Sequence, residues 1–165
     1  MIRLARSIAW LYMQRMAKRM AGRAGKGRAA ERIAAECIAV RLRMLNRRIT
    51  RLYDDALREQ GLGIAQLNML VAIAKAGEVS PVALGEALDL EKSTLSRNVA
   101  RMRERGWVVV EQAGSGPGQR LSLTAEGLAL LDAVEPAWAE AQGQARALLG
   151  AALGGELERV RVRGA

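Results

Sequence analysis

The sequence predicts a mainly α-helical protein with one small β-hairpin. Three features of the 165 residues lead to this prediction. Apolar residues recur at helical spacing over several long segments. Glycines that end helices, and serine or threonine residues that cap them, separate those segments. One stretch, Trp107–Glu111, is a β-branched run typical of a strand.

The first long helix is predicted from an apolar stripe with alternating spacings of four and three residues. Its members are Ile38, Leu42, Leu45, Ile49, Leu52 and Ala56. The ordered pattern starts near Ala29, and Gly61 and Gly63 end it. We therefore expect one continuous amphipathic helix over residues 31–60, with this stripe as its apolar face.

Two short helices are expected next. Apolar residues from Leu67 to Ala74 predict a helix that Gly77 closes. A further helix over Val82–Leu88 is predicted because Ser80 can cap a helix and Pro81 is tolerated at its first position.

A turn at Asp89–Glu91 leads into a helix predicted over Lys92–Arg105, which Gly106 ends. Its inward face is expected to carry Leu95, Val99 and Met102. The strand Trp107–Glu111 follows this helix directly.

The second strand is predicted over Arg120–Leu123, and Gly114–Gly118 must be the turn between the strands because strands do not tolerate that density of Gly and Pro. The order helix, turn, helix and hairpin is that of a winged helix-turn-helix. The fold class is therefore mainly α with a small β-hairpin, in which long N- and C-terminal helices flank the winged helix-turn-helix.

A long helix is predicted after Thr124, which can cap it. Its core stripe is expected to be Leu131, Val134, Trp138, Ala141, Ala145 and Leu148. Pro136 should bend this helix. After Gly150 the pattern weakens and predicts a short last helix interrupted by Gly154–Gly155.

The net charge of +9 is concentrated at the N-terminus. Residues 1–28 hold eight of the 26 basic residues and no acid, so the remaining 18 are matched by 17 acids. We expect residues 1–30 to form a basic arm. It could contact DNA phosphates, lie on anionic lipid as an amphipathic helix, or be a product of translation from an upstream start; its composition also resembles a transit peptide. If it contacts DNA, deleting residues 1–28 should weaken non-specific binding and its salt dependence.

The composition argues against an enzyme. There is no histidine, the commonest general base and metal ligand, and the one cysteine, Cys37, cannot form an internal disulfide or a multi-cysteine zinc site. No glycine-rich phosphate loop precedes a helix. We expect no cofactor and no metal. We also expect a cytoplasmic protein without stable membrane insertion, because no apolar run reaches the roughly 18 residues of a spanning helix.

The second helix of the predicted helix-turn-helix carries the residues best suited to DNA recognition. Seven residues on its outward faces form a dense set of hydrogen-bond donors with no acid among them. These residues are Lys92, Ser93, Thr94, Ser96, Arg97, Asn98 and Arg101. Arg and Asn can pair with guanine and adenine, whereas Ser, Thr and Lys mainly contact phosphates. The alternatives are a solvated polar face and a winged helix that binds protein or RNA, although such modules expose apolar or aromatic groups.

Several segments resemble the MarR (multiple antibiotic resistance regulator) family, and the resemblance covers about residues 31–150. The similar segments are Arg47–Tyr53, Gly61–Leu70, Ser80–Leu88, Lys92–Asn98, Glu104–Trp107 and Leu123–Gly127. The resemblance implies a homodimeric transcriptional regulator, here expected to be a repressor, that binds double-stranded DNA. A small aromatic or anionic effector, or an oxidised cysteine, would release it. The alternative is a winged helix that binds membrane surfaces or nucleic acid non-specifically through its basic arm.

The chain is expected to have four parts. The charge pattern indicates the arm at 1–30, and the resemblance implies a dimerisation helix at 31–60, the winged helix-turn-helix at 61–123 and C-terminal dimerisation helices at 124–165. The chain departs from the family in three places. The wing is Gly-rich and has Arg120 as its one basic residue, Gly63 replaces the threonine that commonly caps the second helix, and the last helix is short and broken.

Arg47, Arg48 and Tyr53 are candidate contacts for an effector bound between the dimer body and the DNA-binding unit. The alternative is that Arg47, Arg48 and Arg51 form a solvated face paired with nearby acids such as Asp54, Asp55 or Glu59. Cys37 is a candidate redox sensor, or a small apolar residue. Trp107 and Trp138 are expected to be packing residues, because both occupy apolar positions of the pattern.

Overall fold

The computed structural model describes residues 27–112 and 118–160. The chain divides into two units, residues 1–45 and 46–165. The first unit contains α1 (Arg28–Glu36) and the beginning of α2 (Ile38–Ala56). Cys37 separates the two helices with a ψ of 106°. The single helix expected from the apolar periodicity is therefore two helices.

The expected core stripe of α2 has a different environment at its two ends. Ile38 and Leu42 are 69% and 55% exposed, so the N-terminal end of the apolar stripe is not covered within this chain. Ile49 and Leu52 pack against the core. No residue is buried over residues 27–45, the part of the first unit that the structure describes.

The second unit contains the predicted helices and hairpin in the predicted order. After a 3₁₀ turn at Arg58–Gln60, its elements are α3 (Ile64–Ala76), α4 (Pro81–Ala87), α5 (Lys92–Glu104), β1 (Val108–Gln112), β2 (Gln119–Leu123) and α6 (Ala125–Glu158). The mainly helical fold with a two-stranded hairpin is confirmed.

Helix α3 lies at the centre of the core. Met69, Leu70 and Ile73 are fully inaccessible, and α3 contacts α4, β2 and α6. Helix α5 packs against α4 and β1. The position of α5 therefore depends on α3 through the elements packed around it.

The hairpin is antiparallel, with Val110 opposite Leu121 and Glu111 opposite Arg120. Leu121 also pairs with Val79, which adds a short bridge on the far side of β2. The turn expected at Gly114–Gly118 lies, except for Gly118, outside the described residues.

Helix α6 starts as predicted, with the Thr124 side chain accepting a hydrogen bond from the Gly127 N–H. Pro136 lies where the dihedral angles are helical, and the helix is broken at Gly150, whose φ is +73°. The break expected at Gly154–Gly155 is therefore wrong by one turn. Arg146 and Glu158 form an ion pair of 3.1 Å across this break. A straight helix would separate them by roughly 18 Å, so the chain turns back at Gly150.

The two tryptophans that were predicted to be packing residues differ in burial. Trp107 is buried, and the Arg105 guanidinium lies 5.6 Å from its ring centroid. Trp138 is 37% exposed, which corrects its assignment to the core stripe. In the parts of the chain that the structure describes, no helix is long and apolar enough to cross a bilayer.

Candidate nucleic-acid interface

Helix α5 has one apolar and one polar face. Leu95 and Met102 are buried, and Val99 packs against the core. The predicted donor residues occupy the remaining surface. Lys92, Ser93, Ser96, Arg97 and Arg101 are exposed, and Thr94 and Asn98 are half-buried. The structure therefore brings these seven side chains together on the outer side of one helix.

The charge of this face is uniformly positive over most of its length. The first acid within α5 is Glu104, its last residue. Arg97 and Arg101 are one turn apart, and like charges at this spacing repel each other. A polyanion bound along the helix would relieve that repulsion.

Thr94 organises two of the candidate contact residues. The Arg97 Nη2 donates to the Thr94 hydroxyl oxygen at 3.5 Å, and the Asn98 Nδ2 donates to the Thr94 carbonyl oxygen at 3.0 Å. The Asn98 amide is thus turned along its own helix. Bidentate pairing with adenine uses the amide oxygen and one amide N–H, so the second N–H can keep the bond to the Thr94 carbonyl.

Thr124, at the start of α6, is bonded to the backbone carbonyls of the two residues that precede β1. The Thr124 hydroxyl donates to the Gly106 carbonyl oxygen at 2.6 Å, and the Thr124 N–H donates to the Trp107 carbonyl oxygen at 3.1 Å. At Gly127, a Cβ atom would lie 2.2 Å from that same Trp107 oxygen. The glycine is therefore needed for close approach of α6 to the end of the helix-turn-helix.

The hairpin presents one candidate contact residue among the described residues. Arg120 is exposed on β2, and the acidic Glu111 is directly opposite it on β1. The adjoining turn, where further wing contacts would lie, falls outside the described residues.

The N-terminus of α3 is capped from another helix. Gly63 is the N-cap residue and has no side chain to offer. The Asp54 Oδ1 of α2 accepts a hydrogen bond of 2.8 Å from the Ile64 N–H, and the Gln66 Oε1 accepts one of 3.2 Å from the Gly63 N–H. Sequence reasoning missed Asp54. The signal was a glycine in a cap position, nine residues after a carboxylate near the end of the preceding helix.

The expected effector residues have different environments. Arg47 and Arg48 are exposed, whereas Tyr53 is buried and its hydroxyl donates to the Gln142 Oε1. Burial raises the pKa of Tyr53 above its ordinary value of 10.0, and the Arg146 charge opposes that shift.

The acids near these arginines are engaged elsewhere. Asp55 pairs with Arg58, and Asp54 accepts from Ile64. Among the described residues, the ion pairs do not include Arg47, Arg48 or Arg51.

Cys37 is half-buried at the break between α1 and α2. The basic arm of residues 1–30 lies outside the described residues except for residues 27–30. Within the described ranges, no group of three or more Cys, Asp or Glu side chains could hold a metal ion.

Comparisons with known proteins identify the family. A sequence model of the MarR family matches residues 60–116. The transcriptional regulator MosR from M. tuberculosis is 31% identical; the match covers 74% of this chain and 90% of MosR, with a TM-score of 0.64. A structure of MosR in complex with DNA gives 30% identity, coverage of 75% and 90%, and a TM-score of 0.67.

A structure of mutant MarR from E. coli complexed with operator DNA has the same fold, with a TM-score of 0.69 at 23% identity and coverage of 76% of this chain and 91% of that one. No curated protein matches the sequence. The family match, the MosR relative and the winged helix-turn-helix together show that the chain belongs to the MarR family of transcriptional regulators.

Proposed function

We propose that this chain is a sequence-specific DNA-binding repressor that acts as a homodimer and leaves its operator in response to a small molecule or an oxidant. The observation that carries this proposal is the exposed face of α5 from Lys92 to Arg101, which carries basic and polar side chains and no acid. An α-helix fits the major groove, and residues near its N-terminus approach the base edges.

The residues divide by chemistry into two roles. Arg97 and Asn98 read bases, because their side chains can form bidentate pairs with guanine and adenine. The other residues contact phosphates and set the register of the helix in the groove. They are Lys92, Ser93, Thr94, Ser96, Arg101 and, from the hairpin, Arg120.

Two DNA-bound structures of similar proteins support DNA binding. The E. coli MarR mutant is complexed with operator DNA, and MosR has been solved in complex with DNA. A dimer would place two copies of α5 on half-sites about one helical turn apart. Exposed apolar residues at both ends of the described chain, including Ile38, Leu42, Leu153 and Leu157, are suited to contact a second copy.

A mobility-shift assay on the DNA upstream of the chain's own gene tests the proposal. Specific binding should survive an excess of competitor DNA. Replacing Arg97 with Ala should weaken it by about 1–3 kcal/mol and relax the preference at one base pair. Arg103→Ala is the matched control, because Arg103 belongs to the same helix but not to the candidate contact set. Equal binding to operator and competitor DNA by the unmodified chain would refute sequence-specific recognition.

The release signal has two candidate receptors. Arg47 and Arg48 would attract an anionic effector, and Tyr53 would contribute its ring or hydroxyl after the hydroxyl leaves Gln142. Cys37 would serve as the oxidant sensor. Phenolic ligands and oxidants added to the mobility-shift assay separate these signals. A Cys37→Ser variant that is still released by oxidant would remove Cys37 from consideration.

A further inference from the structure

The first turn of α3 is held by a side chain from a different helix. A helix N-terminus leaves backbone N–H groups without partners and carries a partial positive charge. The half-buried carboxylate of Asp54 accepts the Ile64 N–H at 2.8 Å. This charge-assisted bond joins the last turns of α2 to the first residue of α3.

A local cap would act differently. A serine or threonine at position 63 would bond to the backbone of its own helix and leave α3 unconnected to α2. Gly63 also provides the space that the carboxylate occupies, since a Cβ atom there would lie 3.0 Å from the Asp54 Oδ1. Gly63 therefore leaves room for the Asp54 carboxylate, and the carboxylate supplies the cap that Gly63 lacks.

The same turn of α2 also forms a hydrogen bond to α6. Tyr53, adjacent to Asp54, donates its hydroxyl to Gln142 of α6. Neighbouring residues of α2 therefore connect to α6 and to α3. Since α3 packs against α4, and α4 carries α5, the Asp54 bond lies at the start of a contiguous path to the candidate DNA-binding face.

We propose that Asp54 is a positioning residue for DNA recognition, whose carboxylate sets the orientation of the helix-turn-helix relative to the end of α2. The inference rests on the proposed function. Asp54 touches no DNA and acts through α3. Its loss changes operator affinity beyond any change in stability, because recognition requires α5 to be correctly placed.

A double substitution separates positioning from capping. Asp54→Ala removes both the cap and the connection to α2. Gly63→Ser is compatible with the extended backbone at this position, φ −109° and ψ 167°, but crowds the carboxylate. In the variant that carries both changes, the serine caps α3 locally and the connection to α2 remains absent.

The proposal predicts that this double variant regains the thermal unfolding midpoint of the unmodified chain. Its operator affinity should remain about 2- to 30-fold weaker, the range found for residues that couple distant sites. Its affinity for random DNA should be unchanged. Recovery of operator affinity together with stability would show that Asp54 is only a cap and would overturn the proposal.

Two further variants keep the test decisive. Asp54→Asn retains an oxygen acceptor and should keep most of the operator affinity, even if Asp54→Ala does not fold. Asp55→Ala removes an exposed neighbouring carboxylate that pairs with Arg58, and should change neither readout. If the unmodified chain binds no operator, the proposed function fails; if it binds and the double variant binds equally well, this inference alone fails.

Discussion

The two units have the same apolar spacing in their helices but differ in whether the chain buries the apolar residues. In α3 of the second unit, helical periodicity coincides with burial, and Met69, Leu70 and Ile73 are fully inaccessible. In residues 27–45, equally regular apolar residues such as Ile38 and Leu42 are mostly exposed. Periodicity therefore identifies which face of a helix is apolar, but it does not identify what covers that face.

The largest expected effect contrasts one leucine from each unit. Leu70→Ala should lower the free energy of unfolding by about 2–5 kcal/mol, because it leaves a cavity in a closed core. This loss should be the same at every protein concentration. Leu42→Ala should instead weaken the association of two copies, because its exposed side chain is expected to contact a second copy. Denaturant titrations measure the first effect, and the protein concentration at which the dimer dissociates measures the second. An unchanged dissociation concentration for Leu42→Ala would contradict this contact.

The next effect concerns close approach within the second unit. Gly127→Ala should cost about 3 kcal/mol, because its Cβ would lie 2.2 Å from a backbone oxygen that cannot easily move. Gly143→Ala is the matched control on the same helix, since no atom lies within 4 Å of a Cβ there. It should stabilise the chain by up to about 1 kcal/mol through helix propensity. Equal effects in thermal unfolding would show that the contact at Gly127 relaxes.

The smallest effect is the pH dependence from Tyr53. Its pKa is raised in the folded chain, so the unfolded chain loses the phenol proton first as the pH rises. The stabilisation of the folded chain by the protonated Tyr53 is fully present below pH 10.0, and it is lost as the pH rises through the higher pKa of the folded chain. Unfolding free energies of the unmodified chain should fall more steeply above pH 10.0 than those of Tyr53→Phe. Parallel curves would argue against the burial of this hydroxyl.

Much of the fold was predictable because its signals are local. Ser80 and Thr124 cap their helices through bonds to N–H groups three residues later, which residue type and spacing alone indicate. The apolar face of α5 was predicted from the spacing of Leu95, Val99 and Met102. The remaining positions of α5 form its polar face, and the candidate DNA-contact residues are the residues at those positions.

The positions of the helix breaks and the burial of the tryptophans were harder to predict. They depend on contacts between residues distant in sequence, or on which of several similar residues interrupts a helix. Cys37 interrupts a regular pattern without a Gly or Pro to mark the break. Gly150 breaks α6, although Gly154 and Gly155 looked equally suitable. Trp107 is covered by the packing around the hairpin, whereas Trp138, on an equally apolar position, is left partly exposed.

The sequence alone determined which segments are helices or strands, which face of each is apolar, and where donors gather without acids. These properties arise from interactions within a few residues along the chain. Tertiary structure decided that Asp54 caps α3, that α6 approaches Trp107 closely enough to require Gly127, and which apolar stripes are buried. Such properties depend on which surfaces meet in space, and the order of residues along one helix does not contain that information.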